Sequence, residues 1–244
     1  MQGIIDSGKY KVIEVLQSDD SYEFCLCIDV MVNNGYDTYI FNTYRGKDAI
    51  REFLPLYYGM KNTRFSDFVE LVTSDGSISA VFRYFSGQKF RNFFYVHPRD
   101  KFDEKLTYAE SMFSAALEFD LLDEKITAGA LSIKNAVVDI RSMTVHFNYL
   151  IAPNLQAEAD FRSKRLGEML GLIFQKDRYM PEQITEFIDD LKAGKFKTCV
   201  EIYAQWRRVS ADAERIRNKY LKESYIQYAM RKAKYKKEKI KQKK

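Results

Sequence analysis

Residues 68–87 read FVELVTSDGSISAVFRYFSG. Two β-rich runs, Phe68–Val72 and Ile78–Phe85, flank Ser74-Asp75-Gly76-Ser77. An Asp-Gly pair between such runs is a strong hairpin signal, because Gly supplies the positive φ that a tight turn needs. Upstream, KDAIREFLPLYYGM at Lys47–Met60 sets Ala49, Ile50, Phe53, Leu54, Leu56 and Tyr57 at helical spacing. It predicts a helix that Pro55 kinks or restarts, since proline removes a donor and crowds the preceding turn. Before it, Tyr10–Leu16, Tyr22–Val32 and Asp37–Tyr44 carry the β-branched and aromatic residues of strands, with Asn33-Asn34-Gly35 as a turn. The order is three strands, one helix, then two strands joined by a hairpin.

Beyond Gly87 the pattern turns helical. Gln88–Phe94 is a short apolar-rich segment. Leu106–Leu122 is amphipathic, with Thr107 and Glu110 spaced as a capping box. Two short strand-like runs, Ala136–Ile140 and Thr144–Tyr149, follow. Helices are expected over Asp160–Phe174, Pro181–Ala193 and Phe196–Arg208, and one long helix from an N-cap at Ser210.

The chain has 244 residues, 46% hydrophobic and 30% charged, which is the mix of a folded globular protein rather than a disordered one. No apolar run is long enough for a transmembrane span, and the N-terminal residues do not read as a signal peptide, so a cytoplasmic location is expected. Cys25, Cys27 and Cys199 lack the spacing of a zinc site and read as reduced buried thiols. His97 and His146 stand far apart with no third ligand, and read as surface or core histidines. The carboxylate pairs Asp123-Glu124 and Glu158/Asp160 fit helix-end caps. Charge is divided unevenly. Residues 215–244 hold 13 Lys/Arg against two Asp/Glu, net +11, and the rest of the chain nets −6.

Several stretches resemble protein kinases. Lys9-Tyr10-Lys11-Val12-Ile13 is similar to the opening of a kinase first strand. Ser79–Gly87 resembles the fifth strand running into the hinge between the lobes. Ala130–Asp139 resembles the catalytic loop and the strand after it, with Asn135 on the kinase asparagine. Asp160–Gly167 resembles the start of the central helix of the second lobe. The resemblance covers residues 8–207 and implies an α+β protein kinase-like fold. Its N-lobe, residues 1–87, would be a five-stranded antiparallel sheet with one helix. A reduced helical C-lobe would span 88–209, and a basic C-terminal helix 210–244.

The resemblance also implies which chemistry is lost. A kinase brings backbone amides to the phosphates through a Gly-rich turn. Here the turn is Gln17-Ser18-Asp19-Asp20-Ser21-Tyr22, with no glycine and two carboxylates. Asn42 stands at the phosphate-binding lysine, Ala130 at the catalytic aspartate, and Asn148 at the metal-binding aspartate. Each lost part costs orders of magnitude in phosphoryl transfer. The expectation is a pseudokinase with no catalytic residues, cofactor or metal, acting as an adaptor or scaffold in a bacterial assembly such as a secretion or contractile injection system. A different reading is an atypical ATP-dependent enzyme with a relocated cation such as Lys47.

The tail offers its own partners. Arg231, Lys232, Lys234, Lys236 and Lys237 are candidate contacts for an acidic protein surface or an anionic membrane, with nucleic acid a further alternative disfavoured by the acidic body. Residues 231–244 are expected to fray, being too charged to bury.

Overall fold

The computed structural model describes residues 4–5, 9–31, 37–61, 63, 65–96, 101–153, 157–175, 177 and 179–242. The turn expected at 33–35 and His97 lie outside these residues. The first half is an antiparallel sheet of β1 (Ile4–Ile5), β2 (Tyr10–Ser18), β3 (Tyr22–Asp29), β4 (Thr38–Arg45), β5 (Phe68–Ser74) and β6 (Ser77–Arg83), with helix α1 (Lys47–Met60) between β4 and β5. The spatial order is β1-β2-β3-β4-β6-β5, so the five long strands form the expected sheet and the two-residue β1 extends one edge. The hairpin turns at Asp75-Gly76, where Gly76 has φ +74°. Helix α1 runs unbroken through Pro55. The carbonyl of Arg51, left without its intrahelical donor, lies on an exposed residue, so water can satisfy it.

Alternation on β4 sends Ile40, Asn42 and Tyr44 to one face and Tyr39, Phe41 and Thr43 to the other. The outer face has a small core of Tyr10, Cys25, Cys27, Phe41 and Val81. The start of β2 closes over it, with the Tyr10 ring 4.8 Å from Phe41 and Lys9 paired to Glu70 of β5 at 2.6 Å. Tyr10 also donates its hydroxyl to Glu70. Burial followed by the Glu70 bond raises the Tyr10 pKa, so the phenol stays protonated. Burial also pushes the thiols of Cys25 and Cys27 up to about 12, and both are inert buried groups.

On the inner face, Tyr44 stacks on Phe53 of α1 at 4.0 Å between ring centres. This face belongs to a core that continues into the second half without interruption, from Tyr44, Ile78 and Phe82 to Phe119, Phe147, Leu170 and Trp206. The linker 84–87 leads into β7 (Gln88–Lys89), which forms a second sheet with β8 (Ala136–Asp139) and β9 (Thr144–Phe147). Gly87 crosses this sheet so closely that a Cβ would lie 2.7 Å from the Val138 carbonyl oxygen.

The remaining helices are α2 (Phe90–Val96), α3 (Phe102–Ala116), α4 (Glu124–Ala130), α5 (Phe161–Ile173), α6 (Glu182–Lys192), α7 (Cys199–Ser210), α8 (Ala213–Leu221) and α9 (Tyr225–Gln242). None of the helices described is long and apolar enough to cross a membrane. Trp206 of α7 is fully buried against Phe113, Phe174 and Phe187, and its indole N–H reaches Glu110 at 2.9 Å.

Several expectations are corrected. Helix α3 begins at Phe102, so Thr107 is an interior residue whose hydroxyl bonds back to the Asp103 carbonyl rather than capping. Helix α4 was not foreseen, although its cap is Asp123, which accepts from the Lys125 N–H at 2.8 Å. Ser210 ends α7 instead of starting a helix. The expected single helix is two, broken at Lys222-Glu223-Ser224. Ser224 opens α9 with a reciprocal box: the Gln227 N–H bonds Ser224 Oγ, and the Ser224 N–H bonds Gln227 Oε1.

Helices α5 and α6 touch at Gly167. A Cβ there would meet Leu191 Cβ at 2.7 Å and the Lys192 backbone nitrogen at 2.9 Å. Ser163, one turn earlier, donates to the Leu191 carbonyl at 2.8 Å and fixes the crossing. Gly167→Ala is therefore expected to destabilise the chain by roughly 1–3 kcal/mol, read as a lower urea midpoint with unchanged slope.

Candidate functional site

Three of the four positions that the resemblance singles out, Asn42, Asn135 and Asn148, meet along segment 148–151, which joins β9 to α5 beneath the first sheet. Its main chain is held by side chains. Asn42 donates to the Tyr149 carbonyl at 2.7 Å and accepts from the Ile151 N–H at 3.0 Å. Asn135 donates to the Leu150 carbonyl at 3.3 Å and to the Gly129 carbonyl at 2.9 Å. Tyr44 donates to the Ile151 carbonyl at 2.7 Å, so in its 2.6 Å contact with Tyr57 it must accept. Asn148 turns to the linker: its Oδ1 accepts from the Phe85 N–H at 2.9 Å and its amide donates to the Phe85 carbonyl at 3.0 Å. All three asparagines are buried, with Asn42 fully enclosed.

Each amide lies where it does because of the element carrying it. Asn42 is on the inward register of β4. Asn135 precedes β8, and its carbonyl takes the Asn148 N–H at 2.9 Å, extending the β8–β9 ladder by one pair. The sequence reading therefore named three residues that the fold brings to one place. Ala130, the fourth, is buried at the end of α4 and carries no polar group. Arg165 of α5 secures this region by donating to the carbonyls of Ala128 and Leu131, the latter at 2.8 Å. Nothing local marked Arg165 for this role, since its partners lie more than 30 residues away in the chain.

The inner face of the first sheet is closed to solvent. Phe24, Leu26, Ile40, Ala80 and Phe82 on the inner face of the sheet are all buried, as are Val137 and Val138 of β8. Tyr149 stacks beneath Phe82 at 5.0 Å. Asp19 and Asp20 are exposed at the β2–β3 turn, where the Asp19 N–H closes the turn onto the Tyr22 carbonyl at 2.8 Å. Lys47 is exposed at the start of α1, and Glu52 of that helix pairs with Lys125 of α4 rather than with any residue of β4. A groove of about 730 Å³ is lined by residues of α3, β9 and α7, among them Glu110, Ser114, His146 and Trp206. His146 stacks on Phe85 at 4.4 Å, and burial lowers its pKa.

Asp67 borders the same segment. Burial, and then the charge of Glu118, raise its pKa to about 6 against the opposing pull of Arg83 and a bond to the Tyr149 hydroxyl.

Among the tail candidates, Arg231 is not a free cation. It bonds both carboxylate oxygens of Glu223 at 3.0 Å and Glu182 of α6 at 3.1 Å, and lies 3.5 Å from the centre of the Tyr220 ring. Instead of fraying from 231, α9 is thus pinned to the body by its first turns and remains helical to Gln242. Lys232 is half-buried, 6.0 Å from the Tyr228 ring, while Lys234, Lys236 and Lys237 are exposed.

No family model matches the chain, and no curated protein matches it. Among solved structures it is similar to the crystal structure of Rad53 1–466 in complex with AMP-PNP, with a TM-score of 0.59 and 12% identity. The match covers 82% of this chain and 66% of that one, so the chain spans just under two thirds of its neighbour's length. At this identity the likeness establishes the fold: the chain has a protein kinase-like fold.

Two substitutions probe the segment. Asn148→Asp keeps the acceptor for the Phe85 N–H but turns a carboxylate oxygen toward the Phe85 carbonyl. It is expected to destabilise the fold by about 2–4 kcal/mol at neutral pH. In denaturant titrations the loss should shrink at acid pH, where the protonated acid can donate again. At Asp67 the pH sense is the same, but the substitution removes a carboxylate instead of adding one. Its folded pKa lies above the unfolded value of about 3.9. The folded state therefore holds the proton more tightly, and this contribution to stability, full below about pH 4, is lost as pH rises through about 6. Asp67→Asn should raise stability at pH 7 by on the order of 1 kcal/mol after screening, and leave it unchanged below about pH 4, as read by thermal melts across that range.

Proposed function

We propose that this chain is a catalytically inactive kinase-like protein that serves as an adaptor or scaffold for protein partners in a larger assembly. One observation carries the reading. Asn42 and Asn148 stand where the resemblance puts the phosphate-binding lysine and the metal-binding aspartate, and both amides are spent on the protein's own main chain.

The electrostatics support it. Phosphoryl transfer needs cations and Mg²⁺ to offset the charge of the phosphates. Asn42 is neutral and enclosed, and Asn148 offers no carboxylate. A nucleotide base entering between the lobes would also need free main-chain donors and acceptors on the linker. Both polar groups of Phe85 are bonded to Asn148, and freeing them would leave a buried amide unsatisfied. Asp19 and Asp20 at the β2–β3 turn would repel phosphates. What such a fold retains is a rigid body with a large surface, which suits a protein that positions others.

The test is direct. A ligand raises the melting temperature only by binding the folded state better than the unfolded one. Mg-ATP is expected to leave the melting temperature of the intact chain unchanged, and γ-labelled ATP to transfer no phosphate to the chain or to a generic acceptor. A saturable rise in melting temperature together with transfer that the catalytic metal supports would overturn the reading.

A further inference from the structure

Helix α9 shows two faces. At 3.6 residues per turn, Tyr228, Arg231 and Tyr235 fall together on the side turned to the body. Tyr228 packs against Tyr179 at 6.1 Å, and Arg231 bonds Glu182 and Glu223. On the opposite side, Tyr225, Ile226, Ala229, Met230, Ala233 and Ile240 fall within an arc of roughly 140°. All of these are exposed, and the large ones are markedly so: Tyr225 is 76% exposed, Ile226 70%, Met230 67% and Ile240 60%. An apolar stripe pointing away from the core of the same chain is uncommon unless something covers it.

The charge around the stripe identifies the cover. Residues 231–244 hold nine Lys/Arg and one acidic residue, Glu238, a net of +8. The only arginine, Arg231, is committed to the body, so every remaining cation is a lysine. Lysine is a flexible point charge without the bidentate geometry that reads a fixed carboxylate or a base edge. By the same spacing Lys236 and Lys237 fall within the apolar arc and Lys234 and Lys241 at its edge, all four exposed and not along one line. A matched acidic groove would demand one fixed set of positions, whereas a fluid anionic surface adapts to any. Nucleic acid would meet the lysines but offers nothing to Ile226, Met230 and Ile240. Long lysine stems can lie along an apolar interface with their heads in the polar layer.

We propose that α9 is a peripheral anchor for an anionic phospholipid surface. It lies in the headgroup plane with Ile226, Met230 and Ile240 inserted and the lysines at headgroup level, while the Arg231 contacts transmit its orientation to the body. The body nets −6 and is held off the same surface by repulsion, so α9 is the point of contact. This assignment does not depend on whether the kinase-like core transfers phosphate.

The experiment uses the intact chain and co-sedimentation with vesicles of phosphatidylcholine alone or with phosphatidylserine added. Binding to the anionic vesicles is expected to be at least about tenfold stronger and to weaken as salt rises. Combined Lys236→Gln, Lys237→Gln and Lys241→Gln should flatten the salt dependence. Combined Ile226→Ala, Met230→Ala and Ile240→Ala keeps the helix, since alanine is the best helix former, and should lower affinity about tenfold without changing the salt slope. Both sets replace exposed side chains, and an unchanged melting temperature confirms folding. Equal partitioning to both vesicles, no binding, or alanine variants that bind as well as the parent would each overturn the proposal. So would tighter binding to duplex DNA than to vesicles at matched salt, or self-association abolished by the alanine set.

Discussion

The two halves of this fold are joined through carboxamides. An asparagine side chain has a donor and an acceptor at fixed separation, the same pair that a peptide unit presents. Asn42 uses both on the main chain of residues 149–151, and Asn148 uses both on Phe85. Each therefore behaves like one rung of a β-ladder where no strand is available. Were these positions charged, as the resemblance would have them in a working kinase, the same enclosure would bury an ion without a partner at a cost of several kcal/mol. Neutral amides are what permit Asn42 to sit enclosed on the inner face of the sheet, beside a core that runs from Tyr44 to Trp206.

That continuity has a mechanical side. A kinase works by admitting a nucleotide between lobes that can move apart. Here, rotating the lobes would break the bonds of Asn42, Tyr44 and Asn148 at once and expose Phe24, Ile40 and Phe82, so separation is opposed by polar and apolar terms together. Outside this seam the molecule is tied by longer reaches. Lys105 of α3 and Arg217 of α8 converge on Asp177 at 3.2 and 3.8 Å, and Arg231 ties α9 to α6. The basic end of the chain is thus an oriented part of the fold for at least its first turns.

Much of this was legible in the residues, and what was not has a common cause. Helix α1 was readable to its ends because its periodicity is local, and the 75–76 turn because only a positive φ closes it. The break before α9 went unread because Ser224-x-x-Gln227 was not taken as a box, although both residues are visible in the sequence. Thr107 misled because its spacing to Glu110 mimics a cap, while tertiary packing of Phe102 extends α3 by a turn. The resemblance singled out Asn42, Asn135 and Asn148 by position. What they do was hidden, because Asn42 bonds residues 107 and 109 positions away and no periodicity encodes such a pairing. Arg165 was missed for the same reason.

Trp206 is the only tryptophan of the chain, and it lies in the helical half, enclosed by Phe113, Phe174 and Phe187. The sheet half carries tyrosines but no such fluorophore. Indole emission therefore reports selectively on the order of one half, while far-ultraviolet dichroism registers both. The protein carries its own optical means of asking whether the halves melt as one cooperative unit, which is what the amide seam between them implies.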